Sequence, residues 1–283
     1  MDAVRAPLIA DVSQYEVRIM SSKSVGWESA TAYDRFMGRW SRLAADEFLK
    51  WLDPPHQLNW FELGCGTGAL TAAILGTANP NQVLAWEPSK PLLALAVDQI
   101  TDKRVSFEQA GEHDLARLSL PIDVFASGLV LNFLSSPKTA LEVIAAQLTP
   151  GALVAGYVWD YSEGMEFLSV FWDAATSLDP PASGLDQRTR YPLCAPDQLG
   201  SLLESVGLMK LEVEAIEIET HFNSFRDFWE PFLGGTGAAP TYIASLSPER
   251  RQQLEDALRT ELFPRSGDTL ELHARAWAVR GSC

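Results

Sequence analysis

A glycine-rich turn flanked by acidic residues is the part of the sequence best suited to chemistry. Residues 62–68 have the sequence ELGCGTG; they follow the apolar segment 58–61 and precede the amphipathic segment 69–75. A strand, a glycine turn and a helix in this order form half of a nucleotide-binding βαβ unit. Glycine accepts positive φ and lets a ligand approach the backbone, and the N-terminus of the following helix presents free N–H groups.

The acidic residue before the glycines discriminates between two classes of cofactor. The spacing of Gly64, Gly66 and Ala69 alone also satisfies the dinucleotide fingerprint. The carboxylate of Glu62 would repel a pyrophosphate, but it suits a ligand with an ammonium and a sulfonium, such as S-adenosylmethionine. With these residues the sequence resembles the class I S-adenosylmethionine-dependent methyltransferases of the small-molecule type, whose first motif is an acidic residue followed by Gly-x-Gly-x-Gly. The resemblance covers about residues 27–160 and continues more loosely to the end.

Further cofactor contacts are expected around this motif. Glu87 ends the predicted second strand about 20 residues beyond the glycines, where a carboxylate accepts hydrogen bonds from both ribose hydroxyls. The resemblance implies that Tyr33 and Met37 cover the cofactor and that Arg39 reaches its carboxylate. The spacing of this segment equally fits the inner face of a helix.

The third and fourth predicted strands, 104–109 and 122–127, lead to the rest of the expected site. Relatives often have an Asp for the adenine where this chain has Gly111, so that contact falls to backbone groups or to Glu112. Ligands bind at the carboxyl ends of parallel strands, which indicates residues 127–129 for the methionine part. The residues expected to bind the cofactor are Tyr33, Met37, Arg39, Glu62, Gly64, Cys65, Gly66, Glu87, Pro88, Gly111, Glu112, Ser127, Gly128 and Leu129.

Four residues are candidates for the substrate side. Asn132 stands where many relatives have a His, although a polar residue at a helix N-terminus is an equal alternative. Trp159, Trp229 and Phe232 could line an apolar substrate cavity. The alternative for most of the aromatic residues in this region is that they pack the inserted segments onto the sheet.

Methyl transfer is an in-line displacement, so the protein has mainly to align donor and acceptor and exclude water. A base is needed only if the acceptor carries a proton of high pKa. Asn132, Asp160, Tyr161 and His221 lie near the expected site, but none belongs to a motif, and no catalytic residue is assigned. No spacing of carboxylates and His suggests a metal site.

The alternation of short strands and helices predicts an α/β fold. We expect a doubly wound, mostly parallel seven-stranded Rossmann-like sheet with an antiparallel last strand and helical cap insertions. The glycines at 234–237 would allow a lid to move. The expected divisions are a flexible leader (1–26), a cofactor-binding core with N-terminal helices (27–160), a cap insertion (161–194), the remainder of the core sheet (195–221 and 268–283) and a second cap insertion (222–267).

Composition narrows the class of partner. The chain has 283 residues, 47% of them apolar, and a net charge of −15, which disfavours nucleic acids and anionic membranes. No apolar run reaches ~18 residues and the start lacks a signal-peptide pattern, so we expect a cytoplasmic protein. The three cysteines are too scattered for a disulfide framework or a zinc site. The expected partner is a small-molecule methyl acceptor, the expected product S-adenosylhomocysteine, and the oligomeric state is not predicted.

Two other functions stay open at this point. One is a nicotinamide-dependent oxidoreductase, against which Glu62 and the long segment before the first strand argue. The other is an S-adenosylmethionine-binding protein with a non-methylating role, because the adenine Asp is missing and no base is identified.

Overall fold

The computed structural model describes residues 30–118, 121–234, 237–265 and 267–283. The expected leader, residues 1–26, lies outside the described residues, as do residues 27–29 of the expected core. Residues 235 and 236 of the expected lid hinge also lie outside them.

Within these ranges the chain forms one seven-stranded sheet with flanking helices. The strands are β1 (Asn59–Leu63), β2 (Gln82–Trp86), β3 (Val105–Glu108), β4 (Ile122–Gly128), β5 (Leu148–Trp159), β6 (Met209–Phe222) and β7 (Leu270–Ser282). The α-helices are α1 (Ala30–Tyr33), α2 (Arg39–Leu52), α3 (Ala69–Thr77), α4 (Lys90–Gln99), α5 (Pro137–Ala145), α6 (Glu166–Leu178), α7 (Pro196–Glu204), α8 (Phe225–Trp229), α9 (Ala238–Ser245) and α10 (Pro248–Leu262).

Short helical turns complete the chain. A π-helical turn, Asp34–Gly38, joins α1 to α2. The 3₁₀ turns are Glu112–Arg117, Leu131–Phe133, Pro180–Leu185, Gln187–Thr189, Pro192–Cys194 and Glu230–Gly234.

The sheet topology confirms the expected fold class. The strand order is β3-β2-β1-β4-β5-β7-β6; β1 to β5 run parallel, and β7 is antiparallel to both of its neighbours. The chain moves outward from β1 in one direction to β3 and then returns to place β4 on the other side of β1. Open α/β sheets bind ligands in the crevice at such a reversal, outside the carboxyl ends of the strands.

Large aromatic side chains fix the sheet beneath this crevice. Trp60, Phe61, Trp86 and Phe125 are all buried, and the ring of Phe61 packs 5.0 Å from that of Trp86 and 5.8 Å from that of Phe125. Truncation of a fully buried aromatic side chain to alanine lowers the free energy of unfolding by about 3–5 kcal/mol. The turn after β1 therefore starts from a rigid base.

The fifth strand begins earlier than its sequence suggests. The pattern predicts a helix over 137–148 that is ended by Thr149-Pro150-Gly151, followed by a strand from residue 152. In the structure α5 ends at Ala145 and β5 begins at Leu148. The turn-forming residues lie within β5, where its pairing with β4 changes register: Ile122 pairs with Leu148, but Val124 pairs with Leu153.

The two expected insertions pack against each other through one aromatic cluster. Its rings come from the π-helical turn, α6, the end of β6, α8 and the turn after it. Phe171 and Phe232 stack with centroids 4.7 Å apart at an interplanar angle of 12°. The members of this aromatic cluster are Phe36, Phe167, Phe171, Phe222, Phe228 and Phe232.

The outer strand β6 carries a row of acidic side chains. It lies at one edge of the sheet, and Glu212, Glu214, Glu217 and Glu219 are exposed along it. The exposed positions change face at Ala215 and Ile216. Glu212 and Glu214 flank the half-buried Val213 before this point, and Glu217 and Glu219 alternate with the buried Ile218 and Thr220 after it.

Candidate active site

A cavity of about 760 Å³ opens at the carboxyl ends of the parallel strands. Its lining combines the turn after β1 with the segments that follow β2, β3, β4 and β5 and with the N-terminal helices. The structure brings most of the expected cofactor residues to this cavity, namely Tyr33, Met37, Glu62, Gly64, Cys65, Gly66, Glu87, Pro88, Gly111, Glu112, Gly128 and Leu129.

The glycines of the turn adopt the backbone conformation for which glycine is suited. Gly64, Gly66 and Gly68 have φ of 80°, 57° and 91°. A Cβ on Gly64 would lie 2.4 Å from Cγ2 of Val130, whereas one on Gly66 would meet nothing within 4 Å. Gly64 is therefore needed for packing, and Gly66 leaves open space at the cavity.

The backbone of the second strand anchors this turn. The N–H groups of Gly64 and Cys65 both donate to the carbonyl of Trp86, at 2.8 and 3.0 Å. Because β1 and β2 are parallel neighbours, this contact aligns the turn with the residues that follow β2.

Glu62 is a buried carboxylate in the cavity wall. It is 1% exposed and accepts a hydrogen bond of 2.5 Å from Oγ1 of Thr71 on α3. The pKa of Glu62 is raised to about 7, chiefly by burial and also by the negative charge of Glu87, while the bond from Thr71 opposes the shift. A cation in the cavity would favour the charged carboxylate.

Glu87 ties the end of β2 to the glycine turn. Its Oε2 accepts from the N–H of Gly66 at 3.0 Å, and its Oε1 accepts from the N–H of Ser89 at 2.8 Å. Burial raises the pKa of Glu87, and these two backbone donors lower it in part. Two carboxylates, Glu62 and Glu87, thus flank the turn in one cavity.

The segment after β3 supplies Gly111 and Glu112. The N–H of Gly111 donates to Asp114, and its α-carbon lies against Pro88, whose Cβ would be 3.4 Å from an added Cβ. The carboxylate of Glu112 accepts from the N–H of Ser135 at 3.1 Å and from its Oγ at 2.6 Å. Glu112 therefore lines the cavity with its oxygens already engaged.

Arg39 lies elsewhere, contrary to the expectation that it would reach the cavity. Its Nη1 donates to Oδ1 of Asp227 at 2.8 Å, and its guanidinium lies over the rings of Trp40 and Phe222 at 4.2 and 4.9 Å. The alternative interpretation of this segment as a packed helix face accounts for Arg39, because Asp227 of the second insertion accepts a hydrogen bond from its guanidinium.

Two expected polar residues, one at the end of β4 and one in the turn after it, also fall outside the cavity lining. Ser127 is fully buried, and its Oγ donates to the carbonyl of Leu63 at 3.1 Å, which joins β4 to β1. Asn132 lies in the 3₁₀ turn, and its buried Nδ2 has no hydrogen-bond partner among the described residues.

The three aromatic candidates for the substrate side divide. Trp159, at the end of β5, lines the cavity. Trp229 instead stacks on Phe225 at 6.2 Å, and Phe232 belongs to the aromatic cluster. The described residues of the second insertion therefore pack within it and against the core, and they do not line this cavity.

The candidates for a base have different surroundings. Oδ2 of Asp160 accepts from Nε and Nη2 of Arg275 at 2.9 and 2.7 Å, and Oδ1 accepts from the N–H of Ser162 at 3.0 Å. His221 is exposed on β6. Tyr161 lines the cavity, and burial raises the pKa of its hydroxyl well above the usual range. A neutral tyrosine can donate a hydrogen bond but is a poor base.

Several lining residues were not expected from the sequence. They include Ser41, Thr67, Phe133 and Tyr157. Tyr157 belongs to a continuous apolar strand, in which a tyrosine has the pattern of a core residue. Its hydroxyl lies beside Gly128, where an added Cβ would be 2.8 Å away, and only the pairing of β4 with β5 reveals this contact.

No group of three or more His, Cys, Asp or Glu side chains that could hold a metal ion occurs in the described ranges. In the same part of the chain, the helices are too short or too polar to cross a bilayer.

Comparison with known proteins gives this geometry a context. Residues 61–154 match the family model of a methyltransferase domain. No curated protein sequence matches the chain.

Solved structures share the fold at low sequence identity. A protein assigned as a type II methyltransferase from Anaeromyxobacter dehalogenans superposes with a TM-score of 0.58 at 19% identity, covering 84% of this chain and 95% of that one. Haemonchus contortus phosphoethanolamine N-methyltransferase 2, bound to phosphomonomethylethanolamine and S-adenosylhomocysteine, superposes with a TM-score of 0.53 at 17% identity. The match covers 98% of this chain and 61% of that one. The same enzyme with S-adenosyl-L-methionine superposes with a TM-score of 0.52 at 17% identity, covering 97% of this chain and 60% of that one. This chain thus spans about three-fifths of the Haemonchus enzyme's length, and it shares the fold of these methyltransferases.

Proposed function

Because residues 61–154 form a methyltransferase domain, we propose that the protein transfers the methyl group of S-adenosylmethionine to a small, partly apolar molecule. The observation that carries this proposal is the pair of carboxylates, Glu62 and Glu87, on either side of the glycine turn in one cavity. The volume of about 760 Å³ supports it, since pockets for small ligands range over ~300–1,000 Å³.

The residues of the cavity fit this cofactor chemically. The open space at Gly66 admits a ligand close to the backbone, and the buried Glu62 would pair with its ammonium. Glu87 would accept hydrogen bonds from the ribose hydroxyls. These would replace, or be added to, the hydrogen bonds that Glu87 now accepts from backbone N–H groups. When bound, the cofactor supplies a methyl group already activated by a sulfonium.

The chain itself contributes alignment and exclusion of water. Tyr33 and Met37 cover the cavity from the N-terminal helices, and Leu129 and Trp159 give it an apolar floor and side. Holding two reactants in line removes much of the entropic barrier of a bimolecular displacement. We assign no catalytic base, which suits an acceptor atom that has a free electron pair or loses its proton to water.

A nicotinamide cofactor fits the same turn less well. The N–H of Gly66, which a pyrophosphate would require, is bonded to the carboxylate of Glu87. Neither Lys nor Arg is among the described residues that line the cavity, so a pyrophosphate would find carboxylates nearby and no Lys or Arg to neutralise it. For the same reason, the cavity is a poor match for a phosphate-bearing ligand such as the one in the Haemonchus enzyme.

Calorimetry distinguishes the two cofactors. We expect S-adenosylhomocysteine to bind the purified protein and NAD not to bind. Gly66→Val should weaken the binding of S-adenosylhomocysteine at least ~30-fold, because the valine side chain fills the space at the turn and strains a residue at positive φ. Tight NAD binding, or no effect of Gly66→Val, would overturn the proposal.

A matched variant controls for loss of the fold. Gly76 is exposed at the end of α3, and a Cβ there meets nothing within 4 Å, so Gly76→Val should bind S-adenosylhomocysteine like the original protein. Circular dichroism of both variants checks that the sheet is intact. Transfer of a radiolabelled methyl group into a small-molecule extract then separates a methyltransferase from a protein that only binds the cofactor.

A further inference from the structure

The cavity extends beyond the strands that carry the proposed cofactor residues. Glu62, Glu87 and Gly111 follow β1, β2 and β3, on one side of the strand-order reversal. On the other side, over β4 and β5, the cavity is lined by Phe133, Tyr157, Trp159 and Tyr161, which we call the aromatic wall. The aromatic wall is the part of the cavity left for a second molecule if the cofactor occupies the first.

Two hydroxyls of the aromatic wall form no hydrogen bond with the described residues. Tyr157 is 1% exposed and Tyr161 is 8% exposed, and both line the cavity. Each hydroxyl keeps some accessible surface, so it reaches the open space of the cavity, where a bound molecule can accept its hydrogen bond. Burial raises the pKa of both hydroxyls well above the usual range, which keeps them available as donors.

The aromatic wall has a fixed spacing. The ring of Tyr191, which does not line the cavity, packs 5.3 Å from that of Tyr161 and 5.4 Å from that of Phe133. Tyr191 thus supports these two rings from behind. Aromatic rings at fixed positions favour a flat ligand, because stacked and edge-to-face contacts add to the area that is buried.

The charges around the cavity have one sign. The ionisable side chains of its described lining, apart from the tyrosines and Cys65, are those of Glu62, Glu87, Glu112 and His113. His113 is largely exposed, with 88% of its side chain accessible, and Glu112 is bonded to Ser135. An anion placed here would lose its hydration near carboxylates and gain no opposite charge.

We propose that the aromatic wall selects an uncharged, flat aromatic acceptor whose polar group is hydrogen-bonded by the Tyr161 hydroxyl, and that it rejects phosphorylated and carboxylated molecules. This inference rests on the proposed methyltransferase function, since it concerns the second substrate of the same cavity. Specificity then arises from contacts to the favoured ligand and from the repulsion of anionic ones.

A set of three probes with one ring system tests the charge rule. 2-Naphthol, 2-naphthoic acid and 2-naphthyl phosphate are titrated at pH 7 into protein saturated with S-adenosylhomocysteine, and binding is followed by calorimetry. We expect 2-naphthol to bind and the two anions to bind at least ~30-fold more weakly. Equal or tighter binding of either anion overturns the inference, and so does the failure of all three probes to bind.

A single hydroxyl tests the hydrogen bond. Tyr161→Phe removes the hydroxyl but keeps the ring. It should therefore weaken the binding of 2-naphthol about five- to tenfold and leave the affinities for naphthalene and S-adenosylhomocysteine unchanged. Tyr191→Phe is the matched control, because its hydroxyl lies outside the cavity lining, and it should leave all three affinities unchanged. Unchanged 2-naphthol binding in Tyr161→Phe overturns the assigned role of Tyr161.

The two levels of the proposal fail differently. If S-adenosylhomocysteine does not bind the original protein, the proposed function is wrong. If it binds but the naphthyl probes do not discriminate by charge, only the inference about the acceptor is wrong.

Discussion

Glu62 is the residue whose protonation should control cofactor binding. Below a pKa of about 7 its carboxyl is neutral in the free protein, and above it the charged form attracts an ammonium. We therefore expect the affinity for S-adenosylhomocysteine to rise with pH and to be about tenfold weaker at pH 6 than at pH 8. Calorimetry across this range in buffers of constant ionic strength measures the change.

Two variants assign this dependence to Glu62. Glu62→Gln should bind more weakly and show a flat profile between pH 6 and 8, because it has no titrating group at this position. Glu87→Gln should bind more weakly and still depend on pH, with the midpoint moved to lower pH, because Glu62 remains but loses the negative charge that helps to raise its pKa. A profile in Glu62→Gln as steep as that of the original protein would contradict the prediction.

Arg39 connects two elements that are far apart in the chain. It stands at the start of α2 and bonds Asp227 of α8, with its guanidinium over Trp40 and Phe222. Arg39→Gln should lower the free energy of unfolding by about 1 kcal/mol through loss of the ion pair and the ring contacts. The affinity for S-adenosylhomocysteine should not change, because Arg39 does not line the cavity.

Urea denaturation and calorimetry on the same preparation check both halves of this prediction. Asp227→Asn serves as the partner control and should destabilise the protein by a similar amount. A tenfold loss of S-adenosylhomocysteine affinity in Arg39→Gln alone would instead support the role in cofactor binding that the sequence suggested.

At the level of elements, the strands and helices followed from local patterns. The apolar run ending at Trp86 and the interleaving of glutamates with apolar residues along β6 each specified a strand. The early start of β5 could not be predicted, because Pro150 and Gly151 have the pattern of a turn and only pairing with β4 takes them into a strand.

The site was predictable where a residue is adjacent to a motif. Glu62, Gly66 and Glu87 are fixed by the glycine turn and the strand ends, and the structure brings them to one cavity. Arg39 and Tyr157 were not predictable in this way. The partner of the first, Asp227, is 188 residues away in the chain, and the second faces the cavity through its pairing with a neighbouring strand.

At the scale of the whole molecule, the described residues share one hydrophobic core. Residues of the sheet, of α2 and of both insertions belong to a single buried cluster. We therefore expect one cooperative thermal transition. S-Adenosylhomocysteine at 100 times its dissociation constant should stabilise the protein by about 2.7 kcal/mol and raise the midpoint by about 5–10 °C.

Differential scanning calorimetry measures the number of transitions and their shift. Gly66→Val should melt in one transition whose midpoint the same ligand concentration raises by no more than about 3 °C. Two separate transitions, of which the ligand moves only one, would mean that the segment 222–267 folds independently of the cofactor-binding part.

The acidic row on β6 has a consequence for the behaviour of concentrated solutions. An uncovered sheet edge can pair with the edge of another copy, and charged side chains along it oppose such pairing. At neutral pH the four glutamates should keep the protein dispersed even at high concentration. In acid, where carboxylates lose their charge, light scattering should detect edge-to-edge polymers before the fold is lost, and substitution of Glu214 and Glu217 by lysine should prevent them.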